Sequence, residues 1–146
     1  MSSDLIRATA TANALTKGRQ RLPHDPGLRE LHFGDWDGQT WDAIAQSHPE
    51  LSFAYWDDPG DHRPPGGESW NEAAARIHAA TDALIGAHRG RDLILVAHFG
   101  AILTQIQRAL GCAAIEAFAH RIDNLSVTRI DHTPDGWQVQ AINHRP

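Results

Sequence analysis

The sequence predicts an α/β fold built around a parallel strand, and three stretches predict it. Leu93-Ile94-Leu95-Val96-Ala97 is an apolar run without polar alternation, the pattern of a strand buried on both faces. After it, Ile102, Leu103, Ile106, Ala109 and Leu110 recur at helical spacing. Before it runs the longest helical pattern in the chain, opening at Ser69. Between strand and helix stand His98 and Gly100, the glycine permitting a tight turn. His98 therefore falls at the carboxyl end of a buried strand, just before a helix N-terminus. Ligands bind there in open α/β sheets, and helix N-termini favour anions. On this stretch alone, His98 is either a ligand-binding ring or a hydrogen-bonded histidine closing a strand.

At 146 residues the chain is expected to form a single domain, 1–146, large enough for a real core. Apolar content of 41% and charged content of 21% are ordinary for a soluble globular protein. The net charge of -5 argues against a general nucleic-acid binder. No run approaches the roughly 18 apolar residues of a membrane span, and Met1-Ser2-Ser3-Asp4 does not begin a signal peptide. The single Cys112 fits a reducing cytoplasm. The 10 histidines suggest a metal, but no His-Glu-x-x-His or Cys-x-x-Cys spacing supports one. No metal and no cofactor are expected.

Taken in order, Ser2-Ser3-Asp4 reads as an N-cap cluster, with Leu5, Ala8, Ala12 and Leu15 on one face of a first helix. Arg7 falls in its first turn, where the helix dipole disfavours a cation unless an anion is shared there. A solvated surface arginine is the alternative. Gly18 ends that helix, and Pro23 and Pro26 interrupt regular structure soon after it. Leu28–Phe33 alternates and reads as an extended segment, with Glu30 leading into the loop Gly34-Asp35-Trp36-Asp37-Gly38. Thr40 caps a short helix to about His48. Residues 51–67 show no clear period and read as a long surface connector. Ser69-Trp70-Asn71-Glu72 is a capping box opening a helix to about His88. Leu125–Ile130 and Trp137–Ile142 are strand candidates joined by a turn at Thr133-Pro134-Asp135-Gly136.

An arginine at a helix N-terminus, a glutamate entering a glycine loop and a histidine after a buried strand suit phosphoryl transfer without a metal. Arginine grips phosphate through its fork of donors, histidine can carry a proton or a phosphoryl group, and a carboxylate can protonate a leaving oxygen. Spacing alone does not bring the three together.

Four ordered blocks resemble the histidine phosphatase (phosphoglycerate-mutase-like) superfamily. They are Ser2 through Ala12, Leu28-Arg29-Glu30-Leu31-His32-Phe33-Gly34-Asp35-Trp36-Asp37-Gly38, Pro65-Gly66-Gly67-Glu68-Ser69, and Val96-Ala97-His98-Phe99-Gly100. The resemblance implies a three-layer α/β sandwich with a mostly parallel sheet. It also implies a metal-independent phosphomonoesterase acting through a phosphohistidine. Catalytic roles fall on Glu30, His98 and Arg7, with Glu30 as general acid, and phosphate binding on Arg7, His98 and Phe99. The implied partner is a small phosphorylated metabolite. The blocks look nearer the phosphatase branch, with α-ribazole phosphate the first named substrate.

One departure stands out. The family's nucleophile is the histidine of an Arg-His-Gly motif, and no such motif occurs in this chain. The chain is therefore expected to lack the family's first strand and helix, and to be inactive by itself. Three accounts compete. The favoured one is an N-terminally shortened enzyme. The others are a non-catalytic phosphate-binding or interaction module, and a homodimer or strand-exchanged oligomer that repairs the unpaired sheet edges.

Overall fold

The computed structural model describes residues 1–146. Six helices and one two-stranded antiparallel sheet make up an α/β fold: α1 (Ile6–Leu15), α2 (Trp41–Ser47), α3 (Pro49–Asp57), α4 (Trp70–Ala87), α5 (Phe99–Leu110), α6 (Ala114–Phe118), β1 (Val127–Thr133) and β2 (Gly136–His144). None of the helices is long and apolar enough to cross a membrane.

The capping box forms as its residues dictate. Ser69 Oγ accepts from the Glu72 N–H, and the Glu72 carboxylate accepts from the Ser69 N–H. The helix it opens, α4, buries Trp70, Ala73, Ala74, Ile77, Thr81 and Leu84. That face meets Ala101, Leu103 and Ile106 of α5, and Ile130 and Ile142 of the hairpin close over the same core. Thr40 caps α2 through the Ala43 N–H. The hairpin β1–β2 turns at Thr133–Gly136, where it was expected.

Four expectations need correction. Ser2-Ser3-Asp4 does not cap α1. Ser2 and Ser3 lie extended and fully buried, because the Ser3 N–H donates to Val96 O and the Val96 N–H to Met1 O. The cap position is Leu5, with no side-chain cap. The connector read over residues 51–67 is helical in its first part. Pro49 opens α3, whose Ser52 and Tyr55 are buried, and only residues 58–69 form a loop. Pro is favoured at the first helical position, since its missing N–H would have no partner there.

The central run is extended as expected, but its pairing is a single parallel bridge, Ser2 to Val96. Ile94 is 50% exposed, so the run is not buried on both faces. Val96 turns its N–H and C=O toward Met1 and Ser3. Leu93, Leu95 and Ala97 point theirs the other way, where no backbone group meets them. Gly100 does not form a turn either, since α5 already begins at Phe99.

Candidate active site

The site gathers at the N-terminus of α5. His98 occupies its cap position in extended conformation and is 7% exposed. Met1–Ser3 runs beside it and turns directly into α1, which carries Arg7 in its first turn. Across 91 positions of sequence, Arg7 Nε donates to His98 Nδ1 at 3.2 Å. The other ring nitrogen, Nε2, lies 2.7 Å from Ser3 Oγ. Arg7 itself stands at the surface. Burial, then the Arg7 charge, pushes the His98 pKa down to about 4, so the ring is neutral at pH 7.

Glu30 reaches the same helix end from the other side. Its Oε1 accepts the Leu31 and Gly100 N–H groups at 3.0 Å each, and Oε2 lies 3.3 Å from the Gly100 nitrogen. Burial pushes its pKa up, against those N–H donors and the Arg7 charge, and burial wins. A carboxyl that keeps its proton more readily than an ordinary carboxylate is suited to act as a general acid. Gly100 is required here for space: a Cβ on it would stand 2.2 Å from Leu31 Cδ1 and 2.7 Å from Glu30 Oε1.

The segment carrying Glu30 is clamped along its length. Arg76 of α4 forks onto both oxygens of Glu68 at 2.7 Å, and also donates to the carbonyls of Gly27, Arg29 and Glu30. Glu68 in turn accepts the His32 N–H at 3.1 Å. Burial raises the Glu68 pKa, but the Arg76 fork and the His32 N–H outweigh it and hold the carboxylate below its usual range. Gly67 lies against His32 and Phe33 so closely that a Cβ would fall 2.5 Å from His32 O. Gly34, at φ +55, faces Pro65 O in the same way. Arg29 forks onto Asp4 and so ties the Glu30 segment to the start of α1.

The structure thus brings Arg7, Glu30 and His98 to one place, with Phe99 as the first residue of α5 beside them. The Phe99 N–H donates to no group of the chain. No three His, Cys, Asp or Glu side chains are grouped to hold a metal ion. Sequence reasoning missed Ser3, whose partner is 95 positions away, and missed the Arg76–Glu68 clamp. Only the crowding of glycines at Gly34, Gly66 and Gly67 hinted that two backbones meet there.

Residues 1–145 match the model of the histidine phosphatase superfamily, branch 1. The chain belongs to that superfamily. Among relatives of this histidine phosphatase chain, a Serratia proteamaculans (strain 568) protein named as a probable phosphoglycerate mutase, GpmB, is 29% identical over 94% of this chain. The chain spans 64% of the length of that relative and of the similar ones it matches. Among solved structures, a mycobacterial glucosyl-3-phosphoglycerate phosphatase with inorganic phosphate is 31% identical, with a TM-score of 0.83 over 97% of this chain and 74% of that one. The α-ribazole phosphatase of Shigella flexneri is 26% identical, with a TM-score of 0.82 over 97% and 71%. Bacillus stearothermophilus YhfR gives 26% and 0.88 over 99% and 73%.

Proposed function

We propose that these residues form the phosphate-binding and proton-donating part of a phosphomonoester hydrolase that works through a phosphohistidine. The nucleophilic histidine comes from a segment outside these 146 residues. The observation that carries this reading is the convergence of Arg7, His98 and Glu30 at the N-terminus of α5.

A phosphoryl group seated there meets the Arg7 guanidinium, the His98 ring, the free Phe99 N–H and the positive end of the helix dipole. As the nucleophile's nitrogen bonds to phosphorus and the phosphorus–oxygen ester bond breaks, Glu30 passes its proton to the leaving oxygen. Glu30 then takes a proton from the water that hydrolyses the phosphohistidine. The chemistry asks for positioning and charge, with no metal.

The unpaired edge at Leu93, Leu95 and Ala97 supports the placement of the nucleophile. A parallel strand added to that edge ends beside His98, at the carboxyl end of the run. With it, the single bridge of this chain grows into the mostly parallel sheet of a three-layer sandwich. Where the added strand comes from a second copy, the assembly is a homodimer or strand-exchanged oligomer. The substrate is a small phosphorylated metabolite in the cytoplasm. Because one similar structure is that of an α-ribazole phosphatase, α-ribazole phosphate is the first to test.

A second reading, a non-catalytic phosphate-binding module, rests on the absence of any other histidine hydrogen-bonded to Arg7 or His98. Hydrolysis of p-nitrophenyl phosphate, by this chain and by a form extended upstream in its source DNA, separates the two. Turnover by the extended form, lost in Arg7→Ala, supports the hydrolase. Phosphate binding by both forms with turnover by neither supports the module.

A further inference from the structure

We propose that Ser3 is a positioning residue. It holds His98 with its proton on Nε2, and so makes Nδ1 the nitrogen that meets a bound phosphoryl anion and gains a proton there. This rests on the phosphate-site reading above and adds a residue and a proton count to it.

The tautomer is set by the donors present. A guanidinium has N–H groups and no acceptor, so His98 Nδ1 must offer its lone pair to Arg7 Nε. Nδ1 is therefore bare, Nε2 carries the hydrogen, and Ser3 Oγ, 2.7 Å away, accepts it. The same oxygen lies 3.4 Å from the Leu5 nitrogen, which also donates to it. Ser3 is fully buried, whereas Arg7 stands at the surface, so Nδ1 is the nitrogen on the open side of the ring.

The charged and titratable groups around the ring are few. Arg7 approaches from α1, and Glu30 reaches the first turn of α5 from the segment before Gly34. Asp4 is engaged by Arg29, and His24 lies on Ser2 and Arg21, away from the ring. The partners of the ring nitrogens are Arg7 and Ser3, and neither is a carboxylate.

When a phosphoryl dianion binds, Arg7 turns its donors to the anion and releases Nδ1. A bare lone pair facing a phosphoryl oxygen is repelled by it. Nδ1 therefore takes a proton from solvent and donates it to that oxygen, while Nε2–H stays on Ser3. No bond of the anion breaks, and binding consumes one proton. Before the anion arrives, the burial of His98 beside the Arg7 charge is what disfavours this proton.

The test uses the 146-residue chain. Side-chain nitrogen NMR at pH 7 without ligand is expected to show His98 protonated at Nε2. It should show a shifted or mixed tautomer in Ser3→Ala and the wild-type one in Ser3→Thr. Titration with inorganic phosphate at about pH 8, where the free anion is mainly the dianion, in buffers of different ionisation enthalpy is expected to show uptake of about one proton per phosphate bound. Ser3→Ala should bind about tenfold more weakly, as expected for a buried donor left unpaired, with Ser3→Thr restored. A wild-type His98 protonated at Nδ1 overturns the proposal, even where Ser3→Ala fails to fold. So does a Ser3→Ala chain with unchanged tautomer, or phosphate binding without proton uptake. Absence of phosphate binding, with the tautomers as expected, overturns the phosphate site and the proton uptake but supports the positioning by Ser3.

Discussion

Replacing Gly100 with alanine puts the helix-propensity scale and the tertiary structure in direct opposition. Propensity favours alanine over glycine in a helix by about 1 kcal/mol. The site opposes it. The new Cβ would stand 2.2 Å from Leu31 Cδ1, where carbon atoms rest at about 3.5–4.0 Å, and 2.7 Å from Glu30 Oε1. Leu31 is 5% exposed and belongs to the main core, so it has little room to withdraw. Overpacking of this kind costs about 1–3 kcal/mol. Displacing Glu30 from the Gly100 N–H loses a hydrogen bond to a charged group, about 1.5 kcal/mol. The net expectation is a loss of about 2 kcal/mol. With a urea slope of about 1–2 kcal/mol/M for a chain of this size, the midpoint falls by about 1–2 M. Gly86, late in α4, is the control, since nothing lies within 4 Å of its added Cβ. Gly86→Ala should gain about 0.5–1 kcal/mol. Urea unfolding followed by circular dichroism reads both. If Gly100→Ala proves as stable as Gly86→Ala, the close approach of Glu30 and Leu31 to α5 is refuted.

The remaining predictions concern the clamp, the cap and pH. Arg76→Ala leaves the partly buried Glu68 without its partner and frees three carbonyls, and should cost about 3 kcal/mol by urea unfolding. Arg76→Lys should recover only part of this, because an ammonium cannot fork. Ser69→Ala removes half the capping box of α4 and should cost about 1 kcal/mol in the same assay. Glu30 has a raised pKa in the folded chain, so folding binds its proton more tightly and stability falls as pH climbs from 4.5 through the raised value. Glu30→Gln should remove that decline and raise the melting temperature at pH 7 but not at pH 4. His98 has the opposite sign: its pKa falls from 6.5 to about 4, so stability is full above 6.5 and is lost as pH drops from 6.5 toward 4. Comparing wild type with His98→Gln across that window isolates the effect, and an unchanged profile counts against a buried neutral ring.

The sequence by itself determined whatever depends on neighbours in the chain. Ser69 and Glu72 sit three apart, so the capping box needs only its own helix to form. The hairpin comes from alternation around Thr133–Gly136, and the helical stripe after His98 from a period that survives any packing. The identities of Arg7, Glu30 and His98 as candidates were legible for the same reason: each carries a local anomaly of charge or position. Their meeting was not. Ser3 is an ordinary serine in an N-cap-like cluster until Val96 takes its backbone and His98 takes its hydroxyl. Residues 49–57 carry too weak a stripe to announce α3, which becomes a helix against Trp36 and Phe33. Gly100 looks like a turn residue and is instead a space left for Leu31 and for Glu30, 70 positions away. Strand pairing, close backbone approach and burial are relations between distant segments, and they came into being only when the chain closed on itself.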